Sequence, residues 1–229
     1  MNIDVLPDAD ATARKAAEVL AAEARKAHAA RGRFVFAVSG GTTPWQMLRH
    51  LATQDVPWGS VYVAQVDERV APDGHADRNL THLRESLLAH APIRPEQILA
   101  MPVNDPDLDA GAAHYARTLE ALAGTPLTLD LVHLGLGADG HTASLVPNDP
   151  VLDVTDRDVA TTNEYQGRRR MTLTYPALDR ARVVLWLATG AGKAEMLARL
   201  KAADRSIPAG RVRQGAAVVL ADRDAAKGL

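Results

Sequence analysis

One histidine in the sequence is placed where a side chain is normally exposed for chemistry. His141 lies in the segment GLGADGHTASLVP, which follows a short apolar run, so a glycine-rich turn delivers Asp139 and His141 to the end of a predicted buried strand. An imidazole titrates close to neutral pH and is suited to moving protons in a reaction. We therefore expect acid–base chemistry at His141.

The same segment also imitates a nucleotide-binding motif. GLGADG matches the dinucleotide fingerprint G-x-G-x-x-G, in which the glycines open a long helix that holds the pyrophosphate at its N-terminus. Pro147 and Pro150 follow too soon for such a helix. The sequence therefore argues against an NAD-binding protein, and we expect no cofactor.

The other histidines are weaker candidates for a catalytic role. Five of them fall in helical stretches and are expected at the surface: His28, His50, His82, His90 and His114. His133 lies in a predicted buried strand and is expected to be structural. H-x-E and H-E-x-x-H patterns do not occur, so the sequence predicts no metal site.

The segment SGGTTP connects a predicted strand to a predicted helix and is typical of an anion-binding turn. Its glycines allow backbone N–H groups to point inward, Thr43 is predicted to cap the helix, and Pro44 suits the first helical turn. Free N–H groups and the helix dipole then favour a phosphate beside residues 39–42. The alternative is an ordinary strand-to-helix turn.

Two cations follow other predicted strands. Arg69 in DER comes shortly after a strand and can grip a phosphate with two hydrogen bonds, while Asp67 and Glu68 are candidates for orienting Arg69 or a substrate hydroxyl. Lys193 in GAGKAEM can add charge to an anion site, although this segment lacks the residues of a P-loop. Taken alone, each is better explained as part of a solvated surface.

Composition narrows the class of protein. The 26 basic and 28 acidic residues nearly cancel, which argues against a nucleic acid partner. The absence of cysteine excludes disulfides, thiolate nucleophiles and cysteine-based zinc sites. The charged N-terminus does not resemble a signal peptide, and apolar runs are too short for a membrane span. We expect a cytoplasmic protein with no membrane partner.

Hydrophobic periodicity predicts alternating strands and helices. Asp10 is expected to cap a first helix that opens the chain and ends at Gly32, and a polar loop is expected after the second strand. Helices are predicted at residues 9–31, 45–51, 79–89, 109–123 and 193–202, and strands at 34–38, 61–66, 129–134, 171–175, 183–188 and 217–221.

This order predicts an α/β fold: a mostly parallel, Rossmann-like sheet with helices on both faces and additional short strands. We expect residues 1–229 to form a single domain. Ligands of such sheets bind at the carboxyl ends of the strands. The chemical motifs SGGTTP, DER, GLGADGH and GAGK all fall at that edge.

Together, SGGTTP, DER, GLGADGHTASLVP, RMTLTYPAL and GAGKAEM resemble the 6-phosphogluconolactonase family, within the group that includes glucosamine-6-phosphate deaminases. The resemblance runs from about residue 33 to the last strand, and GxGxDGHxASL followed by proline is its most specific part. It implies hydrolysis of 6-phospho-D-glucono-1,5-lactone to 6-phosphogluconate in the pentose phosphate pathway, by a monomer or weak homodimer.

The resemblance also implies roles for individual residues. His141 is the general acid and base, and Asp139 supports its turn or orients the imidazole. The phosphate site would comprise Arg69 and Lys193 with the turn of Ser39, Gly40, Gly41 and Thr42. Arg170 lies near the substrate, contacting phosphate or the new carboxylate, with the neighbouring Arg168 and Arg169 leaving the register open.

Two related functions remain as alternatives. Glucosamine-6-phosphate deaminases resemble DGHIAFNEP at this point, with a glutamate five residues beyond the histidine, where this chain has Val146. Sugar-phosphate-sensing domains of bacterial repressors share the fold, but they come with a helix-turn-helix segment for which this chain has no spare length. Lactone hydrolysis requires neither metal nor covalent nucleophile, and Ser144 does not lie in a G-x-S-x-G elbow.

Overall fold

The computed structural model describes residues 1 and 3–229 and is built around a parallel sheet of seven strands. The strands are β1 (Ile3–Leu6), β2 (Phe34–Val38), β3 (Val61–Gln65), β5 (Ile98–Leu99), β6 (Leu131–Gly135), β9 (Val183–Ala188) and β10 (Ala217–Asp222). Their spatial order in the sheet is β1, β10, β9, β6, β2, β3, β5. Both faces of the sheet are covered, which explains why the central strands β2 and β9 read as unbroken apolar runs.

Helices cover the two faces of this sheet, as the sequence predicted. They are α1 (Ala9–Arg31), α2 (Thr42–Leu51), α3 (Asn79–Leu83), α4 (Leu108–Ala123), α5 (Tyr175–Arg180), α6 (Ala194–Lys201) and α7 (Pro208–Arg211). Within β2, Phe34 and Phe36 pack into the core cluster beneath α1 and α2, whereas Val35 and Ala37 pack into the cluster that holds α4 and α6. Alternate side chains of one strand thus serve two cores.

A second, smaller sheet stands at the carboxyl side of the first. Its order is β4 (Asp67–Arg69), β8 (Arg170–Leu173), β7 (Val159–Thr161), and both pairings are antiparallel. The prediction of an irregular loop directly after β3 was wrong for β4. Its strand character comes from pairing with β8, about a hundred residues later, which local composition does not reveal.

The start of the chain also differs from the prediction. Strand β1 precedes α1, because this short segment pairs with β10 at the edge of the sheet. The cap of α1 is Asp8 rather than Asp10: the Asp8 side chain accepts from the N–H of Ala11 at 2.8 Å. Gly32 ends the helix in the left-handed conformation with φ 71°, as predicted.

Most other predicted elements are confirmed to within a few residues. The predicted helix over residues 79–89 is divided, since α3 continues as a π-helical turn over Arg84–Leu88. Tyr175, predicted as the end of a strand, instead begins α5. Within the described part of the chain, no helix is long and apolar enough to cross a membrane.

Candidate active site

A cavity of about 460 Å³ opens where β2, β6 and the small sheet end beside the start of α6. This volume suits a small metabolite. Of the predicted site residues, eight line it: Ser39, Gly40, Asp67, Arg69, Asp139, His141, Arg170 and Lys193. Gly41 and Thr42 line an adjoining hollow of about 360 Å³, which shares Gly40 and Lys193 with the cavity.

His141 and Asp139 form a hydrogen-bonded dyad in the turn that follows the carboxyl end of β6. Nδ1 of His141 lies 2.6 Å from Oδ1 of Asp139, and the same oxygen accepts from the backbone N–H of His141 at 3.1 Å. An ionised carboxylate only accepts, so Nδ1 is the donor. In the neutral ring this leaves Nε2 as a proton acceptor.

Gly137 is a steric requirement of this dyad. A Cβ at residue 137 would lie 2.2 Å from Nδ1 of His141 and 2.6 Å from Oδ1 of Asp139. The turn is closed by hydrogen bonds from Gly137 N to the His141 carbonyl and from Gly140 N to the Gly137 carbonyl. The glycines therefore serve close packing around the imidazole rather than a dinucleotide.

The second oxygen of the Asp139 carboxylate is also occupied. Tyr165, from the loop between β7 and β8, donates its hydroxyl to Oδ2 at 2.9 Å. Burial by itself raises the pKa of Asp139, but hydrogen bonds and charge from His141, together with the Tyr165 bond, bring that pKa below its ordinary value. Burial and the Asp139 carboxylate raise the pKa of Tyr165, so it remains a donor at neutral pH.

Two arginines face each other across the small sheet on the opposite side of the cavity. Arg69 of β4 is the direct antiparallel partner of Arg170 of β8. Burial and then the charge of Arg69 lower the pKa of Arg170. The Nε atoms of both are buried and have no hydrogen-bond partner among the described residues. Such a pair attracts an anion, since like charges are relieved by a shared counter-charge.

Surrounding groups hold these guanidinium groups in place. Nη1 of Arg69 donates to the Asp77 carbonyl at 2.9 Å and to Oδ1 of Asn79 at 3.0 Å. Nη2 of Arg170 donates to the Tyr165 carbonyl at 3.3 Å and to Oε1 of Gln166 at 3.2 Å. All four acceptors are uncharged carbonyl or amide oxygens, so they do not cancel the positive charge of the arginine pair.

Gly40 of the SGGTTP segment packs against Asn79, which in turn holds Arg69. A Cβ at residue 40 would lie 2.1 Å from Oδ1 of Asn79, the atom that accepts from Arg69. The buried Oγ of Ser39 has no hydrogen-bond partner among residues 1 and 3–229. Its backbone N–H donates to Nδ1 of His133, whose pKa burial lowers to about 3. His133 is thus a neutral structural support beneath the turn.

Thr43 does not cap α2, contrary to the prediction. The N-cap is Gly41 with φ 137°, a conformation that favours glycine, and no side chain bonds the first helical N–H groups. Thr43 lies inside the helix, where its Oγ1 is 2.7 Å from Oγ1 of Thr189. The uncapped start of α2 opens on the hollow that contains half-buried Lys193, an arrangement suited to an anion.

Asp67 and Glu68 occupy different environments. Asp67 lines the cavity, and its Oδ2 accepts from Oγ of Ser144 at 2.7 Å. Glu68 is fully buried and is not among the lining residues, so of its two predicted roles the orientation of Arg69 stays a prediction and contact with a substrate hydroxyl is disfavoured. The alternation of side chains along β4 sends it away from the cavity.

Glu68 instead organises the chain behind the cavity. Its carboxylate lies 3.0 Å from Nε of buried Arg78, an ion pair without ideal hydrogen-bond direction. It also accepts from the backbone N–H groups of Asn79 and Leu80, the first residues of α3, at 2.8 and 2.9 Å. Glu68 therefore fixes the segment from which Asn79 reaches Arg69.

Sequence reasoning missed three polar side chains that line the cavity: Asn79, Tyr165 and Gln166. Asn79 begins a helix and Tyr165 lies in a polar loop, so neither stands on a motif that signals chemistry.

The structure also distinguishes the three consecutive arginines. Arg170 lines the cavity, Arg168 pairs with Asp77 at 2.9 Å, and Arg169 reaches Thr161 at 3.5 Å. Within the described ranges, no three His, Asp or Glu side chains are grouped to hold a metal ion.

Comparison with known proteins places this geometry in context. The family model described as glucosamine-6-phosphate isomerases/6-phosphogluconolactonase matches residues 7–220. A 6-phosphogluconolactonase of Mycobacterium tuberculosis is 38% identical over 239 residues, covering 98% of this chain and 97% of that protein. One from Synechocystis is 35% identical over 236 residues, covering 100% and 98%.

A solved structure agrees with these sequence matches. The crystal structure of a 6-phosphogluconolactonase from Thermotoga maritima superposes with a TM-score of 0.84 at 26% identity, covering 96% of this chain and 98% of that one. The mostly parallel α/β fold predicted from the sequence is confirmed.

Glu68→Ala is expected to lower the free energy of unfolding by about 3–5 kcal/mol, because it leaves the buried Arg78 without its counter-charge. Urea unfolding followed by circular dichroism measures the loss. Glu96→Ala, which breaks the exposed pair with Arg94, is the control and should unfold at the same urea concentration as the wild type. A loss below about 1 kcal/mol for Glu68→Ala would contradict this assignment.

Proposed function

The chain belongs to the family of glucosamine-6-phosphate isomerases and 6-phosphogluconolactonases and is an enzyme of the 6-phosphogluconolactonase type, and we propose that it hydrolyses 6-phospho-D-glucono-1,5-lactone by acid–base catalysis at His141. The observation that carries this proposal is the His141–Asp139 dyad, which shares one cavity with Arg69, Arg170 and Lys193. A proton acceptor and a set of cations are what a phosphorylated lactone requires.

In the proposed reaction, Nε2 of neutral His141 takes a proton from water as the water oxygen bonds to the lactone carbonyl carbon. Asp139 holds the other ring nitrogen and stabilises the imidazolium that forms. When the bond from the carbonyl carbon to the ring oxygen breaks, the imidazolium returns the proton to that oxygen. The free acid then ionises, so His141 ends the cycle in its starting state.

The cations divide into two groups that both favour an anionic substrate. Lys193 and the start of α2 surround the hollow beside Gly40, and Arg69 and Arg170 line the larger cavity that shares Gly40 and Lys193 with this hollow. In our proposal the phosphate binds between Lys193, the Ser39 to Thr42 turn and Arg69. Arg170, held next to the Tyr165 ring, contacts phosphate or the carboxylate that forms.

Deaminase chemistry is the nearest second candidate, and residue 146 argues against it. Deaminases that resemble this segment have a glutamate there as part of a proton relay. Here Val146 is 3% exposed and contributes no titratable group. A dyad without that acid is suited to activating water, which supports hydrolysis over amine chemistry.

The proposal extends to the setting of the reaction. Residues 1–229 act as one domain in the cytoplasm, as a monomer or weak homodimer, on a small sugar-phosphate lactone. The reaction as written needs no cofactor, nucleic acid or membrane, because water and one histidine supply every proton and oxygen that it consumes.

His141→Ala is expected to lower the enzymatic rate of lactone hydrolysis by ~10²–10⁴-fold, since it removes the general base. Acid release from freshly generated 6-phosphogluconolactone, corrected for spontaneous opening, measures the rate. His114→Ala, at an exposed position of α4, is the matched control and should behave as wild type. A His141→Ala variant as fast as wild type would remove His141 from the mechanism.

Arg69→Ala and Lys193→Ala are expected to raise KM about tenfold or more, with smaller effects on kcat, because each removes a charged contact with the phosphate. The same acid-release assay, run over a range of substrate concentrations, separates the two constants. Lys201→Ala, at the exposed end of α6, controls for loss of charge. Unchanged KM in both variants would place the phosphate elsewhere.

Gly137→Ala is expected to lower kcat by ~10²-fold, because the new Cβ displaces the His141 ring by an ångström or more. Gly59→Ala is the control, since a Cβ there meets no atom within 4 Å. Activity and thermal unfolding are measured on both variants. Wild-type kcat for Gly137→Ala would show that the dyad tolerates displacement and would count against its role.

A further inference from the structure

We propose that Tyr165 is a positioning residue for the reaction at His141, and that it acts by holding the Asp139 carboxylate through its hydroxyl. The inference rests on the proposed function, because it concerns the same acid–base dyad. Tyr165 does not belong to any of the motifs that point to chemistry in the sequence. Its position is apparent only in the folded chain.

The first observation is the complete occupation of the Asp139 carboxylate. Oδ1 accepts from the ring and backbone nitrogens of His141, and Oδ2 accepts from the Tyr165 hydroxyl. The Asp139 side chain is 37% exposed, so water competes for any oxygen that is left free. The Tyr165 bond removes that competition and prevents the carboxylate from rotating away from Nδ1. The imidazole is thereby kept with Nε2 directed to the cavity.

The second observation concerns the ring of Tyr165. The guanidinium carbon of Arg170 lies 4.9 Å from the ring centroid, and the His141 ring meets it edge-on with centroids 5.7 Å apart. One side chain thus touches the base, its carboxylate partner and an anion-binding cation. The hydroxyl serves the dyad and the ring serves Arg170. Substitutions can separate these two contributions.

The third observation is that the chain presents Tyr165 from a rigid turn. Tyr165 and Arg168 exchange backbone hydrogen bonds of 2.9 and 3.3 Å, and the two residues between them, Gln166 and Gly167, have φ of 53° and 75°. Positive φ at both central positions is the geometry of a tight hairpin turn. Arg168 anchors the turn by binding Oδ2 of Asp77 through two nitrogens at 3.0 and 2.9 Å. The phenol is therefore held in place before substrate arrives.

Removing the hydroxyl has a predictable effect on the pH profile. The Tyr165 hydroxyl keeps Oδ1 of Asp139 on Nδ1 of His141, where the carboxylate stabilises the imidazolium. Without that bond the carboxylate rotates toward water and stabilises the imidazolium less, so the acidic limb of kcat/KM moves to lower pH. Other charged groups facing the site are Arg170, Arg69, Asp67 and Lys193, and the Tyr165→Phe substitution leaves all of them in place.

The experiment compares Tyr165→Phe, Tyr165→Ala and a control, Tyr62→Phe, which removes the hydroxyl of a partly buried tyrosine on β3. For Tyr165→Phe we expect kcat to fall about tenfold, KM to stay within about twofold, and the acidic limb to move to lower pH. For Tyr165→Ala we expect the same loss in kcat and also a raised KM, because Arg170 loses its aromatic support. Tyr62→Phe should match wild type in all three measurements.

Calorimetric binding of the product, 6-phosphogluconate, supplies a measurement that does not depend on turnover. Tyr165→Phe should bind it as wild type does, and Tyr165→Ala should bind it more weakly. A Tyr165→Phe enzyme with wild-type kcat and an unmoved acidic limb would overturn the proposal, as would one that changes only KM. Failure of the wild-type enzyme to accelerate lactone opening would instead overturn the proposed function, before any variant is compared.

Discussion

The pairing of β4 with β8 is the interaction on which the rest of the site depends. It brings Arg69 opposite Arg170, although a hundred residues separate them in the chain. Two guanidinium groups in such proximity repel, and burial removes the water that would screen them. The fold holds them with carbonyl and amide oxygens instead of carboxylates. The cavity therefore retains an excess of positive charge, which favours a phosphorylated substrate.

That pairing is supported from behind by a buried carboxylate. Glu68 points away from the cavity, where it offsets the charge of Arg78 and accepts from the first N–H groups of α3. Asn79 then lies between Arg69 and Gly40, so close that residue 40 has no space for a side chain. The glycine of the SGGTTP turn and the arginine of the small sheet are thus parts of one packed unit.

On the other wall of the cavity, the dyad of His141 and Asp139 is also supported by a segment far away in the sequence. Asp139 and His141 are two residues apart, and their contact is a property of one turn. The second oxygen of Asp139, however, is satisfied from the β7–β8 loop, 26 residues later. Because Tyr165 also packs against Arg170, the wall that carries the dyad and the wall that carries the arginine pair meet at this one side chain.

The parallel sheet, most of the helices and the turn residues can be predicted from the sequence, because hydrophobic periodicity and glycine-rich turns are local properties. Phe34–Val38 and Val183–Ala188 were predicted to the residue, and GLGADGH placed His141 at a strand end. Three features appear first in the folded chain: Asp67–Arg69 is a strand, Glu68 faces inward, and Tyr165 reaches Asp139. These outcomes depend on pairing and packing between segments far apart in the chain, and no local pattern of residue types records such contacts.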